Sequence, residues 1–142
     1  RYSTFMKQKK ILVFGAFDGL HPGHINFFKQ ARKFGSYLVV IVARDSTIKK
    51  IKGHLPKFKE QERLKKVYDL DIVNEAHLGN KKNYYKKIKE IKPAVICIGY
   101  DQNGLTEKLE TEIKKMGFQT EIKRLKPFKP EKYKSSLLNK ML

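Results

Sequence analysis

The stretch of residues 11–35, ILVFGAFDGLHPGHINFFKQARKFG, constrains the fold more than any other part of this chain. Its first four residues are apolar and predict a buried strand, and the loop that follows carries glycines at positions 15, 19 and 23. From Pro22 to Phe34 apolar residues recur at helical spacing, and Gly35 fits the end of that helix. When a strand is followed by a glycine-containing loop and then by the N-terminus of a helix, the backbone N–H groups of the turn can bind phosphate.

The rest of the chain continues the alternation of strands and helices. This pattern predicts an α/β fold, an open parallel sheet of about five strands with helices on both faces, in a single domain over residues 1–142. Ligands of such sheets bind beyond the carboxyl ends of the strands. The expected strands after the first are 37–43, 71–78, 94–99 and 118–125, and the last of them is expected to be a half-exposed edge strand. The expected helices are 60–70, 82–91, 105–116 and 135–142. Residues 44–60 are expected to form a loop with a short helical piece near 47–51, and this loop is a candidate lid.

The chain is strongly basic, with 32 Lys and Arg against 14 Asp and Glu and a net charge of +18. The positive electrostatic field of such a chain attracts polyanions, which include nucleotides, phosphorylated metabolites, nucleic acids and anionic membranes. The lysines are dispersed, so most of them are expected to be solvated. Neither a bilayer-spanning stretch nor a signal peptide is visible, so a cytoplasmic protein without membrane contact is expected. Cys97 is expected in the core.

The loop carries two histidines, His21 and His24, at the start of the predicted helix. The Walker A and dinucleotide-binding patterns are both missing, and the candidate for phosphate binding is instead this pair at the start of a helix. Their spacing allows both imidazoles to donate to one phosphate chain, and Gly23 allows close approach of the backbone. A zinc site with Asp18, or helix capping without chemistry, are the alternatives; the glycine-rich context favours phosphate.

The ten residues from Gly15 to His24, GAFDGLHPGH, resemble the signature of the His-x-Gly-His nucleotidyltransferases, in the cytidylyltransferase-like superfamily. Within that superfamily the chain is most similar to the archaeal FAD synthases, followed by the glycerol-3-phosphate cytidylyltransferases. Further matching pieces are VARD at 42–45, KG at 52–53, ER at 62–63, GYDQ at 99–102 and KSS at 134–136, so the resemblance covers nearly the whole chain.

The resemblance implies a Rossmann-like enzyme that transfers a nucleoside monophosphate from ATP or CTP to a phosphate acceptor and releases pyrophosphate. Mg²⁺ would be carried by the nucleotide, with no fixed protein ligands, and the protein would be a homodimer. The implied catalytic residues are His21, His24 and Lys52, and Asp18 would orient the acceptor. The implied nucleotide-binding residues are Gly15, Ala16, Phe17, Gly23, Arg63, Gly99, Asp101, Gln102, Ser135 and Ser136.

The acceptor is the least determined part of this expectation. FMN, which would be adenylylated to FAD, is the leading candidate, and glycerol 3-phosphate or another sugar or polyol phosphate is the alternative. A basic nucleic-acid-binding module is the non-enzymatic alternative, but it predicts a basic stripe with exposed aromatics and leaves the histidine pair unexplained.

Overall fold

The computed structural model describes residues 8–80, 85–99, 105–117 and 119–126. Within them, five parallel strands form one sheet in the order β3-β2-β1-β4-β5. The elements follow one another along the chain as β1 (Lys10–Gly15), α1 (Pro22–Arg32), β2 (Tyr37–Val42), α2 (Asp45–Lys52), α3 (Glu60–Tyr68), β3 (Glu75–Leu78), α4 (Lys86–Ile91), β4 (Val95–Ile98), α5 (Leu105–Met116) and β5 (Glu121–Arg124).

Helices cover both faces of the sheet, which confirms the predicted open α/β fold. One apolar cluster joins Ile11 and Val13 of β1 to Phe28 of α1 and Val67 of α3. A second cluster on the opposite face joins Leu12 of β1 to Ile88 of α4. Strands covered on both faces must be apolar at nearly every position, which explains the unbroken runs in β1, β2 and β4.

The structure changes several predicted boundaries: α3 ends at Tyr68 rather than at residue 70, β5 spans Glu121–Arg124 rather than 118–125, and two further changes have an evident cause. The first helix ends at Arg32 and is capped by Lys33, so Gly35 is not its cap. Gly35 is needed for a different reason, because a Cβ there would collide with the Lys9 carbonyl oxygen and the Ile11 side chain. The third strand begins at Glu75 rather than at residue 71, because Asn74 ends the preceding turn with its side chain bonded to the Leu38 N–H at 2.8 Å.

The edge position of β5 is confirmed, and the short helix predicted near 47–51 is the longer α2. The predicted helix over 135–142 and the candidate residues Asp101, Gln102, Ser135 and Ser136 lie outside the described residues. In the described part of the chain, no helix is long and apolar enough to cross a bilayer.

Candidate active site

The histidine loop, by which we mean residues 16–24 after β1, leaves the sheet at the point where the strand order reverses. The chain builds β2 and β3 on one side of β1 and then β4 and β5 on the other, so the strand order reverses between β1 and β4, which is where open parallel sheets usually bind their ligands. The loop after β1 carries the histidines, and Gly99 follows β4 directly. The Ala43 N–H donates to the Gly15 carbonyl at 2.9 Å and joins the ends of β1 and β2. The sheet therefore brings the predicted phosphate loop to its usual ligand-binding edge.

Histidines occupy both capping positions of α1. His21 is the N-cap, with an extended backbone, and its Nδ1 accepts the Gly23 N–H at 3.0 Å. His24, three residues later, accepts the His21 N–H at its own Nδ1, at 3.3 Å. This reciprocal arrangement is a capping box in which imidazole nitrogens replace the usual hydroxyl and carboxylate oxygens. Both histidines therefore cap the helix, and because each does so through Nδ1, this capping is compatible with phosphate binding.

The two caps fix which imidazole nitrogen can donate. A ring nitrogen that accepts an N–H carries no proton of its own, so in the neutral form the proton of each ring is on Nε2. The rings of His21 and His24 stack, with centroids 3.8 Å apart and planes 27° apart. Backbone contacts thus orient two stacked imidazoles, each with an Nε2–H in its neutral form, at the positive end of the α1 dipole, where a phosphate is favoured.

Gly23 and Gly15 make room for aromatic rings of the same loop. A Cβ on Gly23 would lie 2.7 Å from Cε1 of His21, and a Cβ on Gly15 would lie 2.6 Å from Cζ of Phe17. Phe17 is buried against Phe28 at 5.2 Å and meets the His24 ring edge-on at 5.3 Å. Its backbone has a φ of 50°, an uncommon conformation for a large side chain. The Phe17 side chain therefore packs against the His24 ring. Because this side chain is buried, the backbone is the part of Phe17 that can approach a nucleotide.

Asp18 fastens the connection between α2 and α3 to the histidine loop. Its carboxylate oxygens accept the backbone N–H groups of Lys57 at 2.7 Å and Phe58 at 2.9 Å. Burial alone would raise the pKa of Asp18, but these two N–H groups, together with the positive charges of Arg63 and Lys57, bring it below its ordinary value. The structure thus gives this carboxylate two backbone partners, and the acceptor-orienting role implied by the resemblance stays a prediction.

Arg63 joins the strand ends from inside the protein. Its side chain is only 1% exposed and donates to the carbonyl oxygens of Ala16 at 2.8 Å, Ala43 at 2.7 Å and Phe58 at 2.9 Å. Its charge is paired with Asp45 at 2.7 Å. A buried guanidinium is stable only with this degree of pairing. Arg63 therefore links the ends of β1 and β2 from beneath the surface of the site, and the nucleotide contact that the resemblance implies for it stays a prediction.

The sequence reasoning did not single out Asp45 and Glu60 as a linked pair. Glu60 begins α3 and accepts the Asp45 N–H at 2.8 Å, so it ties the start of α3 to the start of α2. It also pairs with Arg44 at 3.3 Å, and Arg44 donates to the Gly79 carbonyl at 2.6 Å. The available signal was position: Arg44 and Asp45 follow the end of β2 after one residue, Ala43, at the edge of the sheet where sites form.

The remaining predicted residues have less defined surroundings. Lys52 is exposed at the last position of α2, where Gly53 ends the helix in a left-handed conformation with a φ of 84°. Gly99 accepts a hydrogen bond from Arg124 at 3.3 Å. No group of three or more His, Cys, Asp and Glu side chains capable of holding a metal ion occurs among the described residues. The catalytic role of Lys52 and the nucleotide contact of Gly99 stay predictions.

A parallel sheet with a histidine-capped helix at its switch point defines the class, a Rossmann-like nucleotide-binding domain. The particular family follows from comparison with known proteins: residues 12–140 match the cytidylyltransferase-like family, so the chain belongs to that family and is an enzyme of the nucleotidyltransferase type.

Individual relatives support the same assignment. The FAD synthase of Ferroglobus placidus is 43% identical over 120 residues, which cover 83% of this chain and 76% of that protein. The FAD synthase of Thermoplasma volcanium is 37% identical over 133 residues, covering 94% and 93% respectively. A crystal structure described as the lipopolysaccharide core biosynthesis protein of Thermoplasma volcanium superimposes with a TM-score of 0.80 at 38% identity, over 85% of this chain and 98% of that one.

Proposed function

We propose that this enzyme transfers the adenylyl group of ATP to the phosphate of FMN, which forms FAD and releases pyrophosphate. The observation that carries the proposal is the stacked pair of His21 and His24, whose Nδ1 atoms are both engaged by backbone N–H groups at the start of α1. The FAD synthases among the relatives support FMN as the acceptor.

In the proposed reaction an oxygen of the FMN phosphate attacks the α-phosphorus of ATP. The new P–O bond forms as the bond between the α-phosphorus and the α,β-bridging oxygen breaks, and that oxygen leaves with the electron pair as part of pyrophosphate. The attacking phosphate is already an anion at pH 7, so no general base is required. The protein contributes alignment and stabilisation of the negative charge that develops around the α-phosphorus.

The Nε2–H groups of His21 and His24 are the donors that stabilise this charge. The backbone N–H groups around Ala16 and the positive end of the α1 dipole add to it. A family member with threonine at position 16 would supply a hydroxyl, whereas Ala16 leaves only the backbone. Lys52 approaches the phosphates from the end of α2, and Asp18 acts on the acceptor side through the segment that its carboxylate holds.

Mg²⁺ enters this reaction on the nucleotide. The donor set of the loop is two imidazoles and one carboxylate, and that carboxylate is engaged by two backbone N–H groups. Such a set fits a triphosphate that supplies its own oxygen ligands better than a metal bound only by protein. When bound, the ion neutralises charge on the phosphates.

The test is to incubate the purified chain with ATP or CTP and with FMN or glycerol 3-phosphate, measuring pyrophosphate release and FAD. We expect pyrophosphate and FAD only with ATP and FMN. Turnover of CTP with glycerol 3-phosphate would replace this proposal with a cytidylyltransferase. Salt-sensitive binding to random DNA without pyrophosphate release from any pair would contradict the enzymatic proposal altogether.

The resemblance also suggests a homodimer located in the cytoplasm, and both stay predictions. Light scattering on the purified chain measures the oligomeric state directly, with twice the monomer mass expected.

A further inference from the structure

Two large apolar side chains near the end of α2, those of Ile51 and Leu55, are exposed to solvent. Ile51 is 68% exposed and Leu55 is 58% exposed, and only Tyr68, at 64%, is comparable among the described large apolar residues. Scattered exposed apolar residues are ordinary, but these two flank one glycine in a single short segment. Ile51 lies in the last turn of α2, and Leu55 lies two residues beyond Gly53.

The backbone holds this segment in place. Gly53 ends α2 in the left-handed conformation, and its N–H donates to the Lys49 carbonyl at 2.8 Å. The ring of Pro56 restricts Leu55 to extended geometry. Immediately afterwards the N–H groups of Lys57 and Phe58 are bound by Asp18. Leu55 is therefore exposed in a segment whose backbone is held by hydrogen bonds on both sides.

The same contacts hold the segment that carries Leu55 near the proposed reaction site. Leu55 is two residues from Lys57, a separation of at most about 7 Å along the chain. The N–H of Lys57 lies 2.7 Å from the Asp18 carboxylate, and Asp18 is three residues before His21. The connection that follows the two apolar side chains is thus fastened to the loop that carries the histidines, although 30 residues separate His21 from Ile51.

The charges within this segment are all positive. Residues 47–59, TIKKIKGHLPKFK, contain five lysines and no acidic residue. The lysine side chains of this segment are exposed: Lys49, Lys50, Lys52, Lys57 and Lys59. An apolar surface surrounded by cations complements a ligand that combines an apolar ring with phosphate.

We propose that Ile51 and Leu55 contact the aromatic ring system of the acceptor and thereby select FMN over phosphates that have no ring. This inference rests on the proposed function and extends it by naming the residues that determine acceptor specificity. A flavin ring packed on these side chains removes apolar surface from water, whereas glycerol 3-phosphate offers nothing to pack. The phosphate contacts are common to both acceptors and cannot distinguish them.

The test compares Ile51→Ser and Leu55→Ser with Tyr68→Ser as the matched control. Tyr68 is equally exposed but lies at the end of α3, about 12 Å along the helix from Glu60. All three side chains are exposed, so the variants should fold as the original chain does. KM for FMN and for ATP and kcat are measured from FAD formation, and thermal unfolding checks the fold.

We expect KM for FMN to rise about tenfold in each of the two variants, with KM for ATP and kcat within a factor of two and Tyr68→Ser unchanged. An unaltered KM for FMN in both variants would overturn the inference while FAD formation by the original chain still supported the proposed function. A rise in KM for ATP alone would assign the surface to adenine and would also overturn it. Failure of the original chain to form FAD would overturn both.

Discussion

The imidazole rings of His21 and His24 stack with centroids 3.8 Å apart, and each ring accepts a backbone N–H through Nδ1. The same two side chains therefore cap the helix with one nitrogen and hold a donor on the other. Capping stabilises the fold, and donation serves the reaction. Because the two roles use different atoms, substitutions can separate them.

We expect His21→Asn and His24→Asn to fold normally and to lose activity. In both variants the Asn side-chain oxygen can replace Nδ1 as the acceptor, and at position 21 Asn is also among the best N-cap residues. No donor remains at the position of Nε2, so turnover should fall by about 10²–10³, the usual effect of removing one such donor. Pyrophosphate release and the thermal unfolding midpoint are the two measurements.

His24→Gln and His24→Ala complete this series. The Gln amide nitrogen reaches closer to the position of Nε2, so part of the activity should return. Alanine removes both the donor and the acceptor of the His21 N–H, so it should nearly abolish turnover and also lower the unfolding midpoint slightly. An Asn variant as active as the original chain would show that Nε2 does not take part.

Gly23→Ala should reduce turnover without reducing stability. The added Cβ would lie 2.7 Å from the His21 ring, which must therefore move. Alanine favours helix by about 1 kcal/mol over glycine, which offsets the local crowding. A displacement of about 1 Å at a reacting group can cost about 10²-fold in rate. Pro22→Ala, at the preceding exposed position of the same turn, is the control and should remain active; equal activity of the two variants would contradict this account.

Arg63→Met should destabilise the fold. Methionine fills much of the same volume but leaves the carbonyls of Ala16, Ala43 and Phe58 without their donor and Asp45 without its partner. Breaking a buried ion pair in this way typically costs about 3–5 kcal/mol in the free energy of unfolding. Urea denaturation measures it, with the exposed Gln61→Met on the same helix as the control. A loss below about 1 kcal/mol would mean that Arg63 does not join the strand ends.

The contribution of Asp18 to stability should depend on pH. Its pKa in the folded protein is below the ordinary value of 3.8, so folding favours the carboxylate form. The stability that it contributes is complete above the pKa of the unfolded chain, about 3.9, and is lost as the pH falls through the lower folded value. The difference in unfolding free energy between the original chain and Asp18→Asn should therefore be constant from pH 7 to 5 and shrink below pH 4.

Hydrogen exchange gives a second readout of the same bond. The amides of Lys57 and Phe58 donate to Asp18, so they should exchange faster in Asp18→Asn at pH 7. Asp71→Asn, an exposed carboxylate in the turn before β3, controls for the lost negative charge. Unchanged exchange at positions 57 and 58 would contradict the fastening of this segment by Asp18.

Much of the fold was predictable because its signals are local. Continuous apolar runs marked β1, β2 and β4, since strands covered on both faces cannot alternate with polar residues. Boundaries that depend on distant contacts were missed. The local sequence predicts Gly35 as a helix cap, but the residue is needed because the Lys9 carbonyl lies against it. The start of β3 depends on a turn in which the Asn74 side chain accepts the Leu38 N–H.

The sequence by itself determined the strand, the glycine loop and the paired histidines, and through them the family, because all of these lie within one local stretch. Only the tertiary structure decided how that stretch is held. Arg63 reaches the Ala16 carbonyl across 47 positions of the chain, and Asp18 reaches the Phe58 N–H across 40. No local pattern encodes such contacts, because they exist only after parallel strands have brought their carboxyl ends to one edge of the sheet.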